Sequence, residues 1–228
     1  MRKALLLLSC ALAAYAVFTL CSVLLLSDVK VRRGCVDAYG VPVYCVQWLP
    51  SGGNVKGTVV LLHGLGGSVE MMSWLGVELA RNGFRVVAWD NLGHGRSASR
   101  LQPFNAAEAV RIYYAVLNAL GVGEKDRIVL IGHSMGGYFA QEIAKLDPRV
   151  EMVVVVASRP YLNSSIKKVA VLAAFDEIFS FVRAEGWDTV LLPRDDHLTV
   201  LYNPAAINAI LGRVAEEASN LASLRLAL

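Results

Sequence analysis

The sequence predicts an α/β fold in which a mainly parallel sheet is flanked by helices. Short apolar runs, several of them rich in valine, alternate with segments of helical periodicity. No repeat or linker interrupts this alternation. An uncharged stretch near the amino terminus adds a transmembrane helix to the prediction. The chain therefore divides into residues 1–33, an anchor with a basic flank, and residues 34–228, one folded domain.

The amino-terminal stretch predicts a single membrane anchor. The 23 residues from Ala4 to Leu26 carry no charge, and as a helix they would span about 34 Å, enough for the hydrocarbon core of a bilayer. A cleavable signal peptide, and thus a secreted protein, is the alternative. Arg2 and Lys3 precede the apolar run, and Ala14-Tyr15-Ala16 fits a cleavage site.

Cys35 and Cys45 flank a predicted β-hairpin that turns near Gly40. Both are equally far from Gly40 in the sequence, so a symmetric hairpin would place them opposite each other and allow a disulfide. A disulfide implies an oxidising compartment or a hyperthermophilic source, and it predicts an extracytoplasmic domain. The alternative is two reduced cysteines on a half-buried strand pair.

The folded domain alternates six predicted strands with four predicted helices. The strands are Thr58–Leu62, Arg85–Trp89, Arg127–Ile131, Met152–Ala157, Val169–Ala174 and Thr189–Leu192. The helices are Glu70–Asn82, Ala106–Leu120, Met135–Leu146 and Pro204–Leu221. The net charge of +3 is small and scattered, which argues against a nucleic-acid partner. The oligomeric state has no signature in the sequence.

The segment Gly132-His133-Ser134-Met135-Gly136 has the form G-x-S-x-G between a predicted strand and a predicted helix. A serine at so sharp a turn is held in a strained conformation with its hydroxyl pushed outward. Gly132 and Gly136 avoid side-chain collisions across the turn. We therefore expect Ser134 to be a catalytic nucleophile.

A serine hydroxyl needs a neighbouring base. In proteins with this strand-to-helix serine turn, the serine elbow, the acid and then the histidine follow the serine along the chain. Of the four histidines only His197 lies beyond Ser134, so it is the predicted base. Asp176 follows a predicted strand and is the predicted acid, which orients the imidazole. Glu177, Asp195 and Asp196 remain alternatives for the acid.

The tetrahedral intermediate needs hydrogen-bond donors for its oxyanion. We expect these to be the backbone N–H groups of Met135, directly after the serine, and of Leu65, in the loop after the first central strand. His63, like His94 and His133, is expected to have a structural role.

Three segments together resemble the α/β-hydrolase superfamily. They are His63-Gly64, Asp90-Asn91-Leu92-Gly93-His94-Gly95-Arg96-Ser97 and Gly132-His133-Ser134-Met135-Gly136-Gly137. The resemblance extends from about Cys35 to the carboxyl terminus, and the serine elbow is most similar to the lipase, esterase and monoacylglycerol-lipase-like branches. It implies that the turn from Asp90 to Ser97 is a structural element bordering the pocket.

Many members of this superfamily insert a helical cap before the strand that precedes the acid. Here only Ser158–Lys168 occupies that position, so we expect a minimal hydrolase without a cap domain. The expected activity is cleavage of carboxylic esters, with a small-molecule or lipid-like acyl substrate and no metal or organic cofactor. The same triad could instead cleave amides, thioesters or carbon–carbon bonds, transfer acyl groups or make peracids. A non-catalytic sensing domain is a further alternative.

Overall fold

The computed structural model describes residues 28–97, 105–179 and 184–226. The strands in these residues are β1 (Val29–Asp37), β2 (Pro42–Pro50), β3 (Thr58–Leu62), β4 (Arg85–Trp89), β5 (Ile128–His133), β6 (Val150–Val156), β7 (Lys167–Ala173) and β8 (Asp188–Leu192). The α-helices are α1 (Ser73–Arg81), α2 (Ala106–Ala119), α3 (Met135–Ala144) and α4 (Pro204–Leu226), with short 3₁₀ helices at Val69–Met72 and Thr199–Leu201. The alternation of strands and helices predicted from the sequence is confirmed.

All eight strands form one sheet in the order β1-β2-β4-β3-β5-β6-β7-β8. Neighbouring strands are parallel throughout the part of the sheet with the order β4-β3-β5-β6-β7-β8. β1 and β2 add an antiparallel hairpin at the β4 edge. The chain proceeds from β3 to one side and then returns to the other side for β5. The carboxyl ends of β3 and β5 therefore flank the switch point where ligands bind in open α/β sheets.

Two apolar cores cover the two faces of the sheet. Along β3, Val59 and Leu61 face one core and Val60 and Leu62 face the other, and all four are buried. Helices α1 and α4 supply the first core, whereas α2 and α3 supply the second. Burial on both faces explains why the central strands are continuous apolar runs.

The predicted disulfide between Cys35 and Cys45 is wrong in this structure, because both cysteines are free. The hairpin turns through the pair Tyr39 and Gly40, both at positive φ, so its centre lies between them rather than on Gly40. Cys45 consequently pairs with Gly34, and Cys35 pairs with Tyr44. This shift of one residue points the thiols to opposite faces of the sheet. The expectation of an extracytoplasmic domain loses the support of that bond.

The predicted anchor, Ala4–Leu26, lies outside the described residues. Among the helices that the structure does describe, none combines the length and apolarity needed to cross a bilayer. Strand β1 begins at Val29, so residues 29–33, expected to be a basic flank, belong to the sheet. The connection between β6 and β7, residues 157–166, is fully described and contains no helix, in agreement with the expected absence of a cap at this position.

Candidate active site

Ser134 occupies the turn between β5 and α3. Its φ of 51° and ψ of −117° are unusual for a residue with a side chain. The surrounding structure fixes this conformation, because the Ser134 N–H donates to Val156 O (3.0 Å) and the Ser158 hydroxyl donates to Ser134 O (2.8 Å). The turn leaves Ser134 directly after the carboxyl end of β5, on the side of the sheet where the parallel strands end.

The glycines around Ser134 permit this tight turn. A Cβ added to Gly132 would overlap the backbone of Gly136, and one added to Gly136 would overlap the carbonyl of Leu62 on β3. At Gly137 an added Cβ would lie 2.6 Å from Ser158 Oγ. The predicted need for glycine at Gly132 and Gly136 is thus explained by backbone approaching backbone.

The structure brings the predicted nucleophile, base and acid together, although they are distant in sequence. His197 Nε2 lies 3.0 Å from Ser134 Oγ, and His197 Nδ1 lies 3.0 Å from Asp176 Oδ2. The second carboxylate oxygen of Asp176 accepts the N–H groups of Ile178 (2.9 Å) and Phe179 (2.8 Å). Asp176 is buried, and these bonds hold its carboxylate toward the imidazole.

The other acidic residues considered from the sequence make different contacts. Asp195 is buried and accepts a hydrogen bond from the Asn203 amide. Asp196 accepts the N–H groups of Leu198 and Thr199, which lowers the pKa of its carboxyl group. Glu177 is exposed. Of the four carboxylates, Asp176 is the one that contacts His197.

The two residues predicted to donate to the oxyanion belong to segments that adjoin the serine. Met135 is the first residue of α3, so its N–H has no acceptor within the helix. The loop after β3 approaches Ser134 closely, because a Cβ added to Gly64 would lie 3.1 Å from Ser134 Cβ. Leu65 follows in the tight turn that Gly67 N–H closes onto Gly64 O. An oxyanion formed at Ser134 would therefore meet this loop and the amino end of α3.

His63 fixes the loop that contains Leu65, in agreement with its expected structural role. Its Nδ1 lies 2.7 Å from Gly64 O, and its Nε2 accepts the Asn91 N–H at 2.9 Å. Nδ1 therefore carries the proton, and burial lowers the pKa of the imidazole. In the neighbouring turn, Asp90 accepts the N–H groups of Val69 and Arg96 and thereby connects that turn to the first 3₁₀ helix.

The sequence interpretation missed the functional contact of His133. Its Nε2 donates to the backbone carbonyl of His197 at 2.8 Å, and the two rings lie 4.9 Å apart. Burial lowers the pKa of His133 to about 4, so the ring is neutral near pH 7. Ser158, which bonds the serine carbonyl, was also missed. Position 133 adjoins the nucleophile in sequence, but the contact with His197 depends on the tertiary structure.

The arrangement brings together a hydroxyl, an imidazole that can accept its proton and a carboxylate that contacts the imidazole. These are the groups that nucleophilic catalysis by a serine needs. Within the described ranges, no group of three or more His, Cys, Asp or Glu side chains is placed to hold a metal ion.

Comparison with known proteins gives a family and several relatives that match part of the chain. The family model of the alpha/beta hydrolase fold matches residues 57–196. The chain is 37% identical over 90 residues to a "Putative non-heme haloperoxidase" of Mycobacterium phage D29 (40% of this chain, 31% of that protein). It is 31% identical over 118 residues to the human "Putative protein-lysine deacylase ABHD14B" (50% and 55%) and 27% identical over 146 residues to "Cutinase est1" of Thermobifida alba (64% and 48%). The chain thus spans about half or less of the length of these relatives.

A solved structure agrees with the fold. The predicted CIB-like hydrolase from Thermoplasma acidophilum superposes with a TM-score of 0.67 at 18% identity, covering 82% of this chain and 99% of that one. At this identity the likeness concerns the fold alone.

Proposed function

Because the chain belongs to the alpha/beta hydrolase family, we propose that it is a serine hydrolase that cleaves carboxylic esters through an acyl-enzyme intermediate. The observation that carries this proposal is the continuous contact from Ser134 Oγ through His197 to Asp176, with 3.0 Å at each step. The 27% identity to a cutinase supports an ester as the substrate.

The proposed reaction begins when Ser134 Oγ attacks the acyl carbon and His197 Nε2 takes the hydroxyl proton. The oxyanion accepts hydrogen bonds from the N–H groups of Leu65 and Met135. His197 then returns the proton to the departing alkoxide as the carbon–oxygen bond of the ester breaks. Asp176 stays ionised and stabilises the imidazolium. Water, deprotonated by His197, attacks the acyl-enzyme, and its proton passes to Ser134 as the acid is released.

A fluorophosphonate probe tests this proposal. Wild-type protein should be labelled covalently, and Ser134→Ala should not be labelled. Ser73→Ala is a matched control because the Ser73 hydroxyl donates to Val69 O in the adjoining 3₁₀ helix and not to a catalytic group. The control should label as the wild type does. A folded wild-type protein that fails to react would disprove the proposed function and would favour the non-catalytic alternative.

Amide cleavage is a second candidate, favoured by the relative named as a protein-lysine deacylase. The same groups would act, but the leaving group would be an amine that must receive a proton from His197. A panel of p-nitrophenyl esters of varied chain length beside acyl-lysine peptides distinguishes the two. Ester cleavage predicts a higher kcat/KM for the esters, and deacylation predicts a higher kcat/KM for the peptides.

We also propose that Ala4–Leu26 anchors the protein in a membrane, supported by the length and lack of charge of this run. Intact mass tests the proposal. An anchor is supported if the protein keeps its full-length amino terminus and stays in the membrane fraction during carbonate extraction. A chain that begins shortly after Ala16 would show cleavage of a signal peptide instead.

A further inference from the structure

The backbone carbonyl of Ser134 belongs to the same peptide group as the Met135 N–H, which is one of the two proposed oxyanion donors. This carbonyl oxygen accepts three hydrogen bonds. Two come from the first turn of α3, from the N–H groups of Gly137 (2.9 Å) and Tyr138 (3.3 Å). The third comes from the Ser158 hydroxyl at 2.8 Å. A side chain outside the helix therefore contacts the peptide group that supplies the donor.

The Ser158 hydroxyl occupies a buried space that a glycine keeps open. Ser158 is buried, and a Cβ added to Gly137 would lie 2.6 Å from Ser158 Oγ. A side chain at position 137 would therefore push the hydroxyl away from the Ser134 carbonyl. The second of the two glycines after the nucleophile thus leaves room for this hydrogen bond.

The backbone on both sides of Ser158 is fixed by hydrogen bonds. Ala157, directly before it, has a φ of 44°, a left-handed conformation that is unfavourable for a residue with a side chain. Its N–H donates to Val171 O on β7 at 2.9 Å. Directly after Ser158, the carbonyl of Arg159 accepts a hydrogen bond from the Gln141 side chain at 3.0 Å. A strained conformation persists where its surroundings enforce it, and here β7 and α3 do so.

Gln141 connects the segment after Ser158 to the helix that begins with the proposed donor. Its side chain is fully buried and uses both of its N–H groups and both lone pairs of its oxygen. The partners are Gly137 O and Arg159 O (3.0 Å each) and the N–H groups of Tyr161 (2.7 Å) and Leu162 (2.9 Å). The segment that contains Ser158 is thereby held against α3.

We propose that Ser158 is a positioning residue for the oxyanion donor at Met135. This inference rests on the proposed function. A peptide group is planar, so a hydrogen bond to the Ser134 carbonyl also sets the direction of the Met135 N–H. A donor to the carbonyl oxygen also polarises the peptide group and strengthens its N–H as a donor. The benefit is larger for the transition state than for the bound ester, because the negative charge develops during the attack.

Steady-state kinetics on p-nitrophenyl esters give the first test. In Ser158→Ala, kcat should fall about tenfold with KM unchanged, a smaller loss than the roughly hundredfold to thousandfold loss that follows removal of an oxyanion donor itself. Ser158→Cys has nearly the same shape and keeps a weaker donor, so its kcat should lie between the two. Ser73→Ala also loses a hydroxyl that donates to a backbone carbonyl, and it should keep the wild-type kcat. A wild-type kcat in Ser158→Ala would overturn the proposal.

A trifluoromethyl ketone with an isotope-labelled carbonyl carbon gives a direct measure of oxyanion binding. Ser134 Oγ adds to this carbon and the hydroxyl proton passes to His197, which leaves an oxyanion on the adduct. The pKa of the adduct oxygen, followed by carbon NMR as pH is varied, decreases when hydrogen bonds to the anion become stronger. Ser158→Ala should raise this pKa by about one pH unit, which is equivalent to the tenfold loss in kcat.

The ketone adduct also distinguishes positioning of the donor from support of the fold. Ser73→Ala should leave the pKa of the adduct oxygen unchanged. If kcat falls in Ser158→Ala and this pKa does not rise, Ser158 only supports the serine elbow and the proposal is wrong. If Ser158→Ala does not fold, Ser158→Cys provides the same comparison, with a smaller rise in the pKa expected.

The fluorophosphonate probe separates a failure of this inference from a failure of the proposed function. Each folded Ser158 variant should still be labelled to completion at Ser134. If the wild-type protein is labelled but the Ser158 variants match it in kcat and in the pKa of the adduct oxygen, the role of Ser158 is wrong and the hydrolase proposal stands. If the wild-type protein neither labels nor forms the adduct, both proposals fail.

Discussion

The imidazole of His133 donates a hydrogen bond to the backbone carbonyl of His197 across 2.8 Å. The loop that contains the proposed base is thereby connected to the end of β5, directly before the nucleophile. His133 contacts neither a reacting atom nor the proton that moves, so we assign it a positioning role. Its Nδ1 is buried beside Gly64 and has no partner among the described residues.

Replacing His133 should therefore slow turnover more than it weakens substrate binding. For His133→Ala we expect kcat to fall about tenfold to a hundredfold, the loss corresponding to ~1–3 kcal/mol for a broken buried hydrogen bond. KM should change little. His133→Gln restores a donor and should recover part of kcat. A wild-type kcat in the alanine variant would contradict the positioning role.

The lowered pKa of His133 also makes an acid-dependent contribution to stability. Its pKa falls from 6.5 to about 4, chiefly because the ring is buried. The hydrogen bond to the His197 backbone and the charge of Asp176 oppose this shift, whereas the charges of His197 and His63 add to it. Between these pH values the unfolded chain binds more protons, so the free energy of unfolding decreases as pH falls through this window, by up to about 3 kcal/mol.

Urea unfolding of wild type and His133→Gln at pH 7 and pH 4.5 measures this contribution. The glutamine variant should lose less stability on acidification. Both proteins should still lose some stability on acidification, because His63 also titrates with a pKa that burial lowers. Identical pH dependence in the two proteins would show that His133 is not the titrating group.

The role of Asp176 can be separated from that of its sequence neighbour Glu177. In Asp176→Asn the amide can present its N–H₂ group to His197 Nδ1 and select the wrong tautomer, for which we expect a loss in kcat of about three to four orders of magnitude. Glu177→Gln should retain wild-type kcat, because Glu177 is exposed and is not the carboxylate that contacts His197. Equal losses in both variants would rule out the assignment of Asp176.

The serine elbow should not tolerate a methyl group at Gly136. Gly136→Ala would force its Cβ into the carbonyl of Leu62. The position of the Cβ is fixed by the backbone of residue 136 and the carbonyl is itself backbone, so neither can move aside. We expect destabilisation of about 1–3 kcal/mol and reduced probe labelling. Gly212→Ala on α4 is the control. An added Cβ there meets nothing within 4 Å, so thermal unfolding should show equal or higher stability.

The two hairpin cysteines should differ in reactivity. Cys35 is exposed and should be alkylated in the native protein, as detected by mass mapping of its peptide. Cys45 is buried, and burial raises the pKa of its thiol to about 12, so it should react only after unfolding. Protection of both cysteines until a reductant is added would instead reveal a disulfide.

Local sequence patterns predicted most of the strands and part of the candidate site. The valine-rich runs predicted the strands because burial on both faces of a parallel sheet requires continuous apolar sequence, and the glycines at 132 and 136 predicted the elbow because the turn has no room for side chains. That motif predicted Ser134 as the nucleophile, and the order of residues along the chain predicted His197 as the base.

Only the tertiary structure decided relationships that depend on register and on long-range packing. The hairpin differs from the predicted register by one residue, which is enough to separate Cys35 from Cys45 because side chains alternate between the faces of a strand. Asp176 could be chosen over its acidic neighbours once the fold brought it to His197. The bond from His133 to His197 joins residues 64 positions apart, and no local pattern indicates such a contact.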